Sequence, residues 1–211
     1  MSFVKQSNAN AAATILGKLP ARNMEGYFCE TCEDAVKKAL ELMPEGSVIS
    51  WGGSMSISEC GLMDALKKHS YTLIDRASAA TEQEKREIYA RTVMADYYLM
   101  STNAITMDGE LVNIDGFGNR VACLCSGPQN VIIIAGMNKV VNSVEAGIAR
   151  IRTKAAPPNT MRLNKNTPCA KTGVCKNCFS PDCICSQTVI TRRSGIPGRI
   201  KILLVNEDLG F

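Results

Sequence analysis

The sequence predicts an α/β protein built on a mostly parallel sheet flanked by helices on both faces. Three observations carry that prediction. Apolar, β-branched runs such as Val131–Ala135 and Arg199–Val205 are continuous rather than alternating, as in strands buried on both sides. Segments with helical spacing alternate with those runs, and capping boxes at Thr31 and Thr81 open two of them. A chain of 211 residues is long enough for one such domain with its own core, spanning 1–211.

Val4–Leu19 combines alanines with Ile15, Leu16 and Leu19 and reads as a first helix ahead of Pro20; Gly26–Cys29 reads as a strand. Thr31-Cys32-Glu33-Asp34 places a hydroxyl at the N-cap and a carboxylate three residues on. The helix it opens passes through Val36, Ala39, Leu40 and Met43 and stops at Pro44-Glu45-Gly46. Ser47–Trp51 is a second predicted strand, Gly52-Gly53-Ser54 a tight turn, and Ser56–Glu59 the cap of a helix reaching about His69. Tyr71–Ile74 and Tyr97–Met100 are further strands on either side of the helix opened by Thr81. Val121–Leu124 and Val131–Ala135 also read as strands. Asn142–Glu145 caps a helix that Pro157-Pro158 is expected to terminate. Residues 159–186 read as an irregular, cysteine-rich insertion before the last strands, Val189–Thr191 and Arg199–Val205.

Composition excludes several function classes. A formal charge of +4 is too small to argue for nucleic acid, and no apolar run approaches the roughly twenty residues of a membrane helix. Gln6, Asn8 and Asn10 interrupt any apolar leader, so a cytoplasmic protein with reduced thiols is expected despite ten cysteines. His69 is the single histidine and reads as a helix-end cation, which leaves acid–base chemistry to carboxylates.

Ligand-contacting side chains are densest between Asn103 and Arg120. Asn103, Thr106, Asp108, Glu110, Asn113, Asp115, Asn119 and Arg120 fall there, between turn-forming Asp-Gly pairs. The stretch reads either as a decorated surface hairpin or as the floor of a polar pocket. Ligands of open α/β sheets sit outside the carboxyl ends of strands. That rule gathers Gly52, Gly53 and Ser54 after one strand, Asn103 after another, Lys139 after a third, and Glu207 and Asp208 after the last. Backbone N–H groups at the Gly-Gly-Ser turn favour an anion. With Asn113, Asp115 and Asn119 these form the predicted ligand-binding set, and Asp108, Glu110 and Glu207 the predicted catalytic acids.

GSVISWGGSMSISECGL, STNAITMDGELVNIDGFGNRVA, PCAKTGVCKNC and RIKILLVNEDLGF together resemble the lactate-utilisation (LUD) domain family over nearly the whole chain. The resemblance implies the fold shared by ribose-5-phosphate isomerase, glucosamine-6-phosphate deaminase and the CoA transferases, with a cleft at the strand ends. It also implies a role beside iron–sulfur proteins in oxidising a lactate-like organic acid. Implied partners are a small anionic metabolite, iron–sulfur redox proteins and a further copy of the chain; nucleic acid and membrane are not among them.

Five thiols lie between Cys169 and Cys185, at Cys169, Cys175, Cys178, Cys183 and Cys185. Soft thiolates on short loops suit Zn²⁺ or an iron–sulfur cluster, with free thiols or a disulfide as the alternative. In similar small members a cysteine is usual at the Cys169, Cys175, Cys178 and Cys185 positions, which makes those four the expected ligands and Cys183 a spare. Cys29-x2-Cys32 opens a helix and has the form of a redox pair, but without thioredoxin-like flanks. Three functions follow: organic-acid oxidation with electrons passing through a cysteine-bound centre, a carboxylate-driven isomerase or CoA transferase, or a non-catalytic metal or redox sensor.

Overall fold

A computed structural model describes residues 2–211, and the fold is built outward from Val131–Ala135, each residue of which has no exposed surface. The chain runs α1 (Phe3–Lys18), β1 (Met24–Cys29), α2 (Cys32–Leu42), β2 (Val48–Trp51), α3 (Met55–Glu59), α4 (Leu62–Leu66), β3 (Thr72–Ile74) and α5 (Glu82–Val93). It continues through β4 (Tyr97–Met100), β5 (Ala104–Thr106), β6 (Leu111–Asp115), α6 (Asn119–Cys125), β7 (Asn130–Gly136) and β8 (Val140–Val141). The remaining elements are α7 (Val144–Arg150), a π turn (Ile151–Ala155), α8 (Ala156–Arg162), α9 (Pro168–Thr172), β9 (Gln187–Thr191) and β10 (Ile200–Val205). Among the described residues no helix is long and apolar enough to cross a membrane.

Six strands form a parallel sheet in the order β1-β10-β7-β4-β2-β3. Alternate residues of β7 feed opposite layers. Val131 and Ile133 pack with Ile15, Leu19 and Tyr98 on one face, Ile132 and Ile134 with Ile49, Leu62 and Leu203 on the other. Burial of both faces is why these strands are apolar throughout. A second, mixed sheet, β8-β5-β6-β9, stands apart from the first and carries the hairpin β5–β6.

Four local expectations are corrected. Val121–Leu124 is helix, not strand: Gly118, at φ 88°, turns the chain into α6, which buries Val121, Cys123 and Leu124 and leaves Cys125 exposed. So short an apolar run does not reveal its period. The cap of α3 is Ser54, not Ser56, whose buried hydroxyl instead donates to the Leu209 carbonyl at 3.2 Å. Ser143, not Asn142, caps α7. Pro157-Pro158 does not end that helix. The chain widens into the π turn just before them, which places Pro157 in the first turn of α8, where a missing N–H loses no partner.

Candidate functional site

Strands β2 and β4 end side by side, and the polar segments that follow them form one wall of a cavity of about 360 Å³. Gly53 and Ser54 come from the first segment, Ser101, Thr102 and Asn103 from the second. Ser54 caps α3 through its side chain. Gly52 lies immediately behind, bonded to the Leu99 carbonyl; a Cβ there would press on the Tyr98 hydroxyl at 3.1 Å.

Arg120 organises the floor. Its Nε donates to Asp115 Oδ1 at 2.9 Å, its Nη1 to Asn113 Oδ1 at 2.6 Å and the Ser101 carbonyl, and its Nη2 to Asn103 Oδ1 and the Ile114 carbonyl. Asn103 and Asn113 are tied to each other as well, through Asn103 N–H to Asn113 Oδ1. Asn113 is fully buried and supports Arg120 from behind, whereas Asn103, Asp115 and Asn119 face the cavity.

Lys139 reaches the cavity from the turn after β7 and is 3% exposed. Its Nζ donates to the main-chain oxygen of Phe211 at 2.5 Å, and Arg150 Nη1 donates to the same oxygen at 3.2 Å. Burial, reinforced by Arg150, brings the Lys139 amine down to about 8. Arg76 and Arg162 complete the lining. Arg162 is held by Asn159, while Arg76 pairs with no carboxylate among the described residues. Four cationic side chains thus face one acidic one, Asp115, which Arg120 already neutralises. Such a surplus selects anions.

The predicted acids lie elsewhere. Asn103 and Asp115 stand at the base of the β5–β6 hairpin, but Asp108 and Glu110 stand at its tip, because antiparallel pairing of Ala104 with Val112 carries residues 106–110 away from the strand ends. Asp108 is paired with Lys18, and Glu110 with Arg22 at 3.6 Å. Glu207 is outside the cavity lining as well: its carboxylate accepts from Cys32 N–H at 3.2 Å and from Cys32 Sγ at 3.4 Å. Asp208 is exposed. The strand-end rule did cover Arg76, which follows β3, yet the sequence reading passed it over. Arg162 and Phe211 carried no local signal at all, and Cys185, expected as a metal ligand, was not expected in this wall.

The cysteine-rich segment does reach the cavity, where Ile184 packs its Cα 3.4 Å from the position of a Cβ on Gly116 and Cys185 lines the wall. Burial and the neighbouring Cys183, Cys175 and Cys169 push the Cys185 thiol up to about 12. Cys183, expected to be spare, therefore belongs to the group around Cys185. Cys169 is turned toward the hydroxyls of Thr160 and Thr167, 3.5 and 3.3 Å away. Among the described residues no three His, Cys, Asp or Glu side chains converge as a metal ion requires. The set Cys169, Cys175, Cys178 and Cys185, as placed here, does not fit Zn²⁺ or an iron–sulfur cluster. The Cys32 thiol is raised rather than lowered, first by burial and then by Glu207, unlike the activated thiol of a redox pair at a helix start.

Across the solved structures, the chain is similar to a DUF162 family protein from Deinococcus radiodurans, with a TM-score of 0.53 and 12% identity over 94% of this chain and 97% of that one. At that identity the likeness concerns the fold. No curated protein sequence matches the chain. The family model for the LUD domain matches residues 13–205, which takes in both sheets, the cleft and the cysteine-rich segment, and on that match the chain belongs to the LUD domain family.

Proposed function

We propose that this LUD-domain protein binds a small organic acid in the cleft at its strand ends and serves in the oxidation of a lactate-like substrate, with an iron–sulfur redox protein as its electron-accepting partner. One observation carries the binding half of this reading: Arg76, Arg120, Lys139 and Arg162 line a cavity in which the single acid is already paired. Arg120 is committed to the floor, so Arg76, with no carboxylate of its own, is the group left to take a substrate carboxylate. About 360 Å³ leaves ample room for a small organic acid. The alternative of a carboxylate-driven isomerase or CoA transferase needs an acid at the reacting atoms, and Asp108, Glu110 and Glu207 all lie outside the lining.

Calorimetry with L-lactate, pyruvate, ribose 5-phosphate and CoA tests the reading. Binding of the small carboxylates, lost in Arg76→Gln, supports it; binding of ribose 5-phosphate or CoA without the carboxylates overturns it.

A further inference from the structure

An acid the size of lactate leaves much of the cleft empty. At about 30 Å³ for each non-hydrogen atom, the share of a water in the liquid, lactate fills no more than about half of the 360 Å³. The lining divides by chemistry. Gly53 and Arg76, which follow β2 and β3, stand together, with Arg76 Nη2 3.7 Å from the position of a Cβ on Gly53. Phe117 follows β6, Leu163 closes α8 and Ile184 belongs to the cysteine-rich segment, and these three apolar side chains line the same cavity.

Phe117 is 97% exposed and Leu163 41%, so apolar surface at the cleft is left open to water. A single exposed phenylalanine is ordinary on a protein surface. This one lines a cavity and is carried on a turn that the cleft floor holds in place. Gly118 N–H donates to Asp115 Oδ2 at 2.8 Å, and Asp115 Oδ1 accepts from Arg120 Nε. At the preceding glycine, Ile184 packs its Cα 3.4 Å from the position of a Cβ on Gly116. The backbone that presents Phe117 is thus fixed before a ligand arrives, which lowers the cost of covering the ring.

We propose that the cleft selects a 2-hydroxy or 2-oxo acid with a branched aliphatic or aromatic side chain, held by its carboxylate on Arg76 and by its side chain against Phe117, Leu163 and Ile184. This rests on the organic-acid reading above and names the substrate class within it. Covering the side chain removes apolar surface of both ligand and protein from water, worth about fourfold in affinity for each methylene fully buried. Lactate offers that surface one methyl group and forgoes most of the gain.

The test is calorimetry of the full chain with L-lactate, L-2-hydroxyisocaproate and L-3-phenyllactate at one pH and ionic strength. The two larger acids are expected to bind at least tenfold more tightly than lactate. Phe117→Ala and Leu163→Ala should each cut the ratio of phenyllactate to lactate affinity by about threefold or more. Both side chains are exposed, so these variants are expected to fold, with the melting temperature as the check. 3-Phenyl-1-propanol, which lacks the carboxylate, should not bind. Lactate binding as tightly as the larger acids overturns the apolar subsite and leaves the organic-acid reading standing. A preference for the larger acids that neither variant moves overturns it too, because the side chain then rests elsewhere. If none of the three acids binds, both readings fall together.

Discussion

Arg76 and Arg120 line the same cleft, but Arg120 holds five protein acceptors and Arg76 pairs with no carboxylate. Their loss should therefore read out differently. Arg76→Gln is expected to weaken binding of a small carboxylate by about 1.5–3 kcal/mol, the worth of a hydrogen bond to a charged group, with the melting temperature unchanged. Arg120→Gln strands Asp115, whose side chain is 11% exposed, and should cost about 3 kcal/mol in urea unfolding. Lys139 carries a pH signature. Its folded-state value of about 8 lies below the ordinary 10.5, so between those values the unfolded chain holds a proton that the folded chain lacks. Stability from this group is fully present above about pH 10.5 and is lost as pH falls through 8, a difference of about 3 kcal/mol. Urea titrations of the natural sequence and Lys139→Met at pH 7.5 and 10.5 should diverge by that amount, the variant being flatter.

At the scale of elements, α6 shows how a turn positions a side chain. Gly118 takes φ 88° at its N-cap, and the helix then delivers Asn119 and Arg120 to the floor. A Cβ on Gly118 would meet only Gln187 Cγ at 3.6 Å, so Gly118→Ala tests backbone strain alone. We expect a cost of about 1 kcal/mol in chemical denaturation, with substrate binding weakened only where α6 shifts. The capping boxes of α2 and α5 were legible because their partners are local: Thr31 with Asp34, Thr81 with Glu84. The start of α3 was not, since Ser54 and Ser56 are equally good caps and only the Leu209 carbonyl, more than 150 residues away, claims Ser56. The prolines of α8 misled for a related reason. A π turn that hides their missing donors has no signature in the residues themselves.

At the scale of the molecule, the cleft depends on β7 and the segment after β10 closing on each other. A Cβ on Gly136 would stand 2.5 Å from the Glu207 carbonyl oxygen and 2.6 Å from the Leu209 nitrogen, backbone atoms that cannot swing aside, as well as 2.6 Å from Asn138 Oδ1. Gly136→Ala should destabilise by about 3 kcal/mol or more and show as lost soluble protein or a lowered melting temperature. The sequence by itself determined the doubly covered parallel sheet, because continuous apolar strands admit no other burial, and it determined the Gly53–Ser54 and Asn103 walls, because both follow strands that end on one edge. Only the tertiary structure decided which charges share the cavity. Asp108 and Asp115 look alike in the chain, yet hairpin pairing sends one to the tip and the other to the floor. Arg162 and Cys185 arrive from segments whose position depends on packing, not on local preference. Spacing along a chain fixes which face of a helix or strand a residue takes, whereas convergence in space is set by contacts between elements far apart in sequence.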